Sequence, residues 1–182
     1  MEKNYYDHQI PKLTELYELI NKIDDINVTY NFYDLFEKRG EEYFIKKDFI
    51  DNKFISNSKS KSNLKEYDNL MGLYVFMKEK EPVYIGISKN IISRIKQHFC
   101  YKTHNSASLV YLIARSEYDK KKYYDGERKH FPFEEYRKTI QKDMRENWKI
   151  AIIPESNPYL LYFKEILYAI NYQTYWNSFE TH

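Results

Sequence analysis

The sequence predicts a mixed fold of strands and helices, of the α/β (α+β) class, and two kinds of pattern support this prediction. Aromatic and β-branched residues are concentrated at 71–77, 83–87 and 148–153, as is typical of strands. Apolar residues recur at helical spacing at 91–99 and 158–172. We therefore expect a small sheet with helices packed against it.

A polar tract divides the chain into two unequal parts. Residues 56–63 are all Ser, Asn or Lys and have nothing to bury, so residues 56–66 are expected to form a linker or loop. Residues 1–55 before it are predicted to form a helical N-terminal extension. Residues 67–182 after it hold the strand patterns and are predicted to form the main domain.

The N-terminal extension contains one clear amphipathic helix pattern and one aromatic-rich segment. The apolar positions of the helix are Ile10, Leu13, Leu16, Leu19, Ile20 and Ile23. The aromatic-rich segment runs from Tyr30 to Ile50, and Gly40 is expected to interrupt it.

Two of the strand patterns form a predicted antiparallel hairpin, because they flank a charged connection that ends in Pro82. Tyr74 and Tyr84 then lie in the middle of their strands. Each strand also holds a glycine, Gly72 and Gly86. Glycine weakens a strand, so these two positions indicate a close backbone approach or a bend.

The helix predicted at 91–99 follows the hairpin, and Asn90 suits its N-cap. Arg94 and His98 are four residues apart and therefore share one face of this helix. A guanidinium and an imidazole on one short helix, close to Tyr74 and Tyr84, form a compact group directed at a phosphate. Arg94 taken alone is more simply explained as a solvated surface residue, and it is the combined pattern that favours a functional role.

Length and composition exclude several classes of protein. The 182 residues are enough for one domain with a buried core, and no stretch is long and apolar enough to span a membrane. No apolar signal-peptide segment follows Met1, so we expect a cytoplasmic protein. The single cysteine, Cys100, excludes intrachain disulfides and cysteine-rich zinc sites, and we expect it to be buried beside Phe99.

The charge is nearly balanced overall but unevenly distributed. The net charge is +2, which alone does not indicate a polyanionic partner. Residues 1–68 carry 11 basic and 14 acidic side chains, whereas residues 82–116 carry five cations and no acid. Those cations are Lys89, Arg94, Lys96, Lys102 and Arg115, with aromatic residues between them. A basic segment of this kind suits a phosphate backbone.

The helix predicted at 158–172 contains one unusual residue, Glu165. Asn157 and Pro158 supply an N-cap and a proline at the first helical position. The helix is otherwise apolar apart from Lys164. A solvated charge at the edge of the helix explains Glu165, and so does a carboxylate held beside a metal, because an ion near an apolar wall needs a partner.

These motifs together resemble the signature of the GIY-YIG endonucleases. Gly72-Leu73-Tyr74 and Val83-Tyr84-Ile85-Gly86 are similar to the two triplets that name the family, and Arg94 follows at the family's spacing. His98 falls where members carry Tyr or His, and Glu165 and Asn177 match a later glutamate and asparagine. The resemblance covers about residues 72–177. It implies a small three-stranded antiparallel sheet flanked by helices.

A long insertion between His98 and Glu165 makes the chain resemble the restriction enzymes of the family more than its compact repair nucleases. The insertion lies at about 102–147 and holds an apolar helix pattern at 106–115 and a charged stretch at 120–130. A second helix pattern at 133–146 carries a basic face, formed by Arg137, Lys138, Lys142 and Arg145. Acidic neighbours nearly balance that face, so a solvated surface is the simpler explanation.

The resemblance implies metal-dependent hydrolysis of double-stranded DNA. Glu165 would hold one Mg²⁺, with Mn²⁺ as a substitute, and Arg94 would stabilise charge on the scissile phosphate. Tyr74 is the candidate general base, and Tyr84 and His98 are alternatives that would otherwise orient the water. Three further residues have supporting roles: Lys89 and Lys96 would contact DNA, and Asn177 would position the glutamate and the last loop.

Two other functions remain open from the sequence. The chain fits a DNA-repair nuclease subunit that needs a partner protein, and it fits a non-catalytic DNA-binding module on the same fold. The N-terminal extension suits a homodimer contact, a specificity element or simple packing on the main domain. Its acidic balance argues against nonspecific DNA binding.

Overall fold

The computed structural model describes residues 12–20, 26–55, 70–125 and 131–177, and it has a mixed α+β architecture. The strands are β1 Tyr30–Asn31, β2 Phe36–Arg39, β3 Glu42–Ile45, β4 Gly72–Lys78, β5 Glu81–Ser88 and β6 Lys149–Pro154. The helices are α1 Leu13–Ile20, α2 Phe32–Leu35, α3 Lys47–Ile50, α4 Ile91–Cys100, α5 Ser108–Asp125, α6 Phe133–Asn147 and α7 Pro158–Tyr172. A π-helical turn, Asp51–Ile55, follows α3.

The central sheet is antiparallel and has four strands in the order β1-β6-β4-β5. The predicted hairpin is confirmed as β4 and β5, and Tyr74 lies opposite Gly86 on one side and Ile152 on the other. The expected count of three strands is wrong, because Tyr30 and Asn31 pair with β6 as a fourth strand. Two residues are too few for the alternating pattern by which strands are recognised in a sequence.

The two faces of the sheet are covered by different helices, because alternate side chains of each strand point to opposite faces. Tyr74 and Phe76 point to the α4 face, where they join Ile95 and Phe99 in one buried cluster. Leu73, Val75 and Ile85 point to the α7 face, where they pack with Leu161 and Tyr168. The sheet thereby separates α4 from α7, and only a side chain near its edge can approach both.

The described part of the N-terminal extension contains strands as well as helices. The interruption expected at Gly40 is present, since Gly40 lies in the turn of the β2-β3 hairpin with a φ of 61°. Phe32 stacks on Phe99 of α4 with ring centroids 5.2 Å apart and planes 8° apart. Residues 30–50 therefore share the core of the α4 face.

Some predictions for the extension fall on residues outside the described ranges. The amphipathic helix is present as α1, but its outermost predicted positions, Ile10 and Ile23, lie outside these ranges. The predicted linker, residues 56–66, lies outside them as well.

The insertion folds as two helices, α5 and α6, which pack on each other and on α4. The apolar helix expected at 106–115 continues to Asp125, because charged residues extend it beyond its apolar part. The helix expected at 133–146 is confirmed as α6. Residues 126–130 of the charged stretch lie outside the described ranges.

The basic face expected on α6 is only partly solvated, so that interpretation needs correction. Arg137 is only 6% exposed and is held by Glu134 and by Gln141, whose oxygens accept from its guanidinium at 2.6–2.8 Å. Arg145 donates to the backbone oxygen of Phe99 at 2.6 Å. Arg137 is therefore paired within α6, Arg145 bonds α6 to α4, and only Lys138 and Lys142 of the four are exposed.

The last strand and helix agree with the sequence. The strand expected at 148–153 is confirmed as β6, displaced by one residue, and α7 has the predicted bounds. The side chain of Asn157 accepts from the backbone N–H of Tyr159 at 2.9 Å, which is the expected N-cap. Among the described residues, no helix is both long and apolar enough to cross a membrane.

Candidate functional site

Four of the predicted site residues meet on the α4 face of the sheet. Tyr74 and Tyr84 come from adjacent strands, with ring centroids 6.2 Å apart. The His98 ring lies 5.7 Å from each tyrosine ring. Arg94, one turn before His98 on α4, is close enough that its charge opposes the rise that burial causes in the pKa values of both tyrosines and adds to the fall that burial causes in the pKa of His98. The structure therefore brings together residues that are up to 24 positions apart in the sequence.

Gly86 makes this arrangement sterically feasible. Tyr74 lies directly opposite it in the β-ladder, and the phenol ring of Tyr74 extends across the glycine. A Cβ atom at residue 86 would lie 2.3 Å from Oη of Tyr74 and 2.4 Å from its Cζ. The close approach that the sequence indicated at Gly86 is thus a contact with the predicted catalytic tyrosine. At Gly72, a Cβ would instead meet the backbone oxygen of Ile153 at 2.2 Å, so that glycine serves strand pairing.

The side chain of Arg94 is fixed by three hydrogen bonds. It donates to Oε1 of Gln97 at 2.8 Å, to the backbone oxygen of Ser106 at 3.0 Å and to Oγ of Ser108 at 3.0 Å. The rigid fork of a guanidinium is suited to several acceptors at once. Sequence reasoning missed these partners. Gln97 could have been found from its i+3 spacing to Arg94, whereas nothing local links the two serines to it.

His98 is fully buried and its pKa is lowered to about 3, chiefly by burial and also by the charge of Arg94. Its Nε2 lies 2.9 Å from Oη of Tyr74, and within the described structure its Nδ1 has no hydrogen-bond partner. A buried N–H without an acceptor is less favourable than a buried lone pair without a donor. The neutral ring therefore carries its proton on Nε2 and donates it to Oη of Tyr74.

The two tyrosines differ in their access to solvent. Tyr74 is 1% exposed, and burial raises its pKa well above the usual value, with Arg94 acting in the opposite direction. Part of the Tyr84 side chain is exposed to solvent, and burial of the remainder raises its pKa. Of the three residues considered as the general base, Tyr84 is the one that a substrate or a water molecule reaches directly.

Glu165 reaches the same site from the other side of the sheet. It lies on α7, which also contacts the edge strand β5, and its carboxylate is near enough to raise the pKa of Tyr84. Its own pKa is raised by burial. Glu165 has no hydrogen-bond or ion-pair partner among the described residues. Lys164 is not available to it, because Lys164 pairs with Glu155 at 2.7 Å.

This carboxylate fits a loosely held divalent cation. The described residues contain no group of three or more His, Cys, Asp and Glu side chains that could form an all-protein metal cage. A half-buried carboxylate with no cation beside it instead suits an ion that keeps several waters and binds substrate phosphate, as Mg²⁺ does. The single-metal site at Glu165 therefore stays a prediction.

Asn177 holds the last described residues against the edge of the sheet. Its side-chain oxygen accepts from the N–H of Ile85 at 2.8 Å, and its side-chain nitrogen donates to the oxygen of Ile85 at 2.7 Å. The backbone N–H of Trp176 also donates to Val83 at 3.1 Å. Asn177 thus positions the last loop, as expected, but it makes no hydrogen bond to Glu165.

The two predicted DNA-contacting lysines have different surroundings. Lys89 is exposed at the end of β5, immediately before α4. Lys96 is not brought to the tyrosines, because two residues along a helix rotate its side chain roughly 200° from that of Arg94. Its ammonium group lies 5.7 Å from the ring centroid of Phe44 in β3. Cys100 is partly buried near Lys96, and burial raises its thiol pKa to about 11, in agreement with a packing role.

Comparison of the chain with protein-family models, with curated proteins and with solved structures gave no match.

Proposed function

We propose that this chain is a divalent-metal-dependent endonuclease of the GIY-YIG type that hydrolyses phosphodiester bonds of double-stranded DNA. The observation that supports this most is the position of Glu165, a partly buried carboxylate without a cation partner that approaches Tyr84 from the opposite layer of the fold. Arg94, which is also near Tyr84, is held by three hydrogen bonds. One anion and one fixed cation beside two tyrosines suit a metal-assisted attack on a phosphate.

Each residue has a definite role in this proposal. Glu165 would hold the cation, which would polarise the phosphate and lower the pKa of bound water. Arg94 stabilises the negative charge that develops on the phosphate, and its anchoring to Ser106 and Ser108 means that little reorganisation is needed. Tyr84 contacts the attacking water, because its hydroxyl is the accessible one, and it accepts the proton of that water as the phenolate, after its own proton has passed to solvent. Tyr74 and His98 lie behind Tyr84 and fix its position.

Site-specific cleavage of the restriction type is the finer part of the proposal. The insertion places α5 and α6 beside α4 and so adds protein surface next to the site. Such surface is suited to contacts with bases on either side of the cleaved bond.

The substitution Glu165→Gln tests the function, because it keeps the shape of the side chain and removes the anion. We expect Mg²⁺-dependent nicking of a plasmid to be abolished while thermal stability and DNA binding in EDTA are retained. Glu117→Gln, at an exposed position of α5, is the matched control and should nick as the wild type does.

Three results would contradict the proposal or redirect it. Nicking by Glu165→Gln at the wild-type rate would remove Glu165 from the mechanism. Duplex binding by a wild-type protein that never nicks would favour the non-catalytic module. Nicking that appears only with a partner protein would favour a repair subunit.

A further inference from the structure

A second concave surface lies on the side of α4 that faces away from the tyrosines. It is a cavity of about 760 Å³, and Lys96, one of its lining residues, also lines a second cavity of about 800 Å³. The β2-β3 hairpin forms one wall, and the C-terminal half of α4 and the helix α6 form the other. We call this surface the basic groove. None of the five residues assigned to catalysis lines it.

The basic groove has an excess of positive charge that the described residues neutralise only in part. Seven Lys and Arg side chains and two carboxylates, Glu41 and Glu42, line it, and Glu134 pairs with Arg137 at 2.6 Å and with Lys138 at 3.6 Å. Lys38, Lys102 and Lys142 are exposed and have no acidic partner among the described residues. Since like charges that converge on one surface are unfavourable, a surface of this kind is suited to an anionic partner.

Aromatic rings hold two of these cations in place. The ammonium of Lys96 lies 5.7 Å from the ring centroid of Phe44, whose other neighbour is the guanidinium of Arg39 at 5.4 Å. The guanidinium of Arg145 lies 5.4 Å from the ring centroid of Tyr43. Cation–π contacts of this length restrict long side chains and reduce the entropy lost when they bind a ligand.

The basic groove and the catalytic residues are connected by one short loop. Lys102 lines the groove, and the backbone oxygen of Ser106, four residues later, accepts a hydrogen bond from Arg94. Four residues of extended chain span at most about 15 Å. At 3.4 Å per base pair, this corresponds to roughly four base pairs of a duplex. A duplex whose scissile phosphate meets Arg94 therefore has further phosphates within reach of the groove.

We propose that the basic groove binds the phosphate backbone of duplex DNA a few base pairs from the cleaved bond. This inference rests on the proposed function for its substrate, but the groove and the catalytic site share no residue. It also revises the expectation that the acidic N-terminal extension avoids DNA. The extension is acidic in total, yet its hairpin places Lys38 in the lining of the groove.

The test compares two triple variants with equal charge. The groove variant combines Lys38→Gln, Lys102→Gln and Lys142→Gln, and the control variant combines Lys12→Gln, Lys53→Gln and Lys120→Gln, which are exposed and outside the groove. All six substitutions are at the surface, and thermal melting is used to check that both variants are folded. Fluorescence anisotropy in EDTA measures affinity for a 24-base-pair duplex and for a single strand of the same length at 50 and 200 mM salt.

We expect the groove variant to bind the duplex at least ~10-fold more weakly than the wild type at 50 mM salt, and the control variant to bind it within about twofold. Each lost phosphate contact should reduce the slope of log affinity against log salt by about 0.9, so three contacts correspond to a slope smaller by roughly 2.7. Between 50 and 200 mM salt, the groove variant would then lose about 40-fold less affinity than the wild type.

Four outcomes would overturn the inference: equal losses in the two variants, an unchanged salt slope in the groove variant, a loss confined to the single strand, or no binding of the duplex by the wild type. The nuclease proposal is tested separately, by nicking in Mg²⁺ at saturating DNA. A protein that binds through the groove but never nicks would contradict the nuclease proposal alone. A groove variant that binds and nicks as the wild type does would contradict this inference alone.

Discussion

The substitution Gly86→Ala is expected to disrupt the candidate functional site by adding a single methyl group. The new Cβ would lie 2.3 Å from Oη of Tyr74, whereas an ordinary contact at this position is 3.4 Å or longer. The ring of Tyr74 would therefore have to move by about 1 Å or more, because the two residues face each other in a fixed β-ladder. Phe76, at 5.1 Å between ring centroids, and His98 limit that movement.

The size of the effect follows from these contacts. Overpacking a buried site costs ~1–3 kcal/mol. A shift of 1 Å also breaks the 2.9 Å hydrogen bond between Tyr74 and His98, and this leaves both polar groups buried at a cost of ~1–3 kcal/mol. The reduced flexibility of alanine in the unfolded chain offsets ~0.5–1 kcal/mol of this. We expect a net loss of ~2–4 kcal/mol in the free energy of unfolding, measured by urea denaturation.

Nicking should fall further than stability alone would explain. A displacement of 1 Å in a catalytic group can reduce a rate by ~10²-fold. We expect that loss in the nicking rate of Gly86→Ala at a temperature where the variant is folded. Gly40→Ala provides the control, because the site is open but has a φ of 61°, so it should lose ~1 kcal/mol of stability and nick normally at saturating DNA. Wild-type stability and nicking in Gly86→Ala would refute the confinement of Tyr74.

Two further predictions concern α4. Arg94→Ala should reduce nicking by ~10²-fold or more. The free energy of unfolding should also fall by up to ~2 kcal/mol, because Ser106 and Ser108 lose their donor. Nicking within a few-fold of the wild type would place Arg94 outside the mechanism. The pKa of His98 lies near 3 in the folded protein and near 6.5 in the unfolded chain, so the unfolded chain binds more protons between about pH 3 and pH 6.5. The free energy of unfolding therefore falls by ~1 kcal/mol for each unit by which the pH decreases through this range. His98→Gln should remove this part of the pH dependence in urea denaturation, and an identical pH dependence in both proteins would contradict the burial of a neutral His98.

Much of the fold between residues 70 and 172 could be predicted because its signals are local. Runs of β-branched and aromatic residues predicted β4, β5 and β6, and an N-cap followed by helical spacing predicted α4 and α7. The same patterns placed Tyr74 and Tyr84 on adjacent strands and Arg94 and His98 on one helix face. These residues meet as expected because a hairpin and the helix that follows it are close in sequence.

Features that depend on contacts between distant segments of the chain were decided by the tertiary structure alone. Local patterns did not indicate that Tyr30 and Asn31 would complete the sheet. Two residues carry no strand pattern of their own, so their extended conformation depends on pairing with β6. Local patterns also could not separate the buried Arg137 from the exposed Lys142 on α6, because burial there depends on where α4 lies. The net charge of the N-terminal extension could not show which of its side chains face the same surface, because a total charge carries no positions.

Glu165 shows this division most clearly. The sequence by itself determined that a lone carboxylate would lie on an apolar helix, and it left open whether that carboxylate was solvated or functional. Only the packing of α7 against the edge strand brought it within the electrostatic range of Tyr84, from the layer opposite Arg94 and His98. The physical reason is that the free energy of a charge depends on its distance to other charges and to water, and only the folded chain sets those distances.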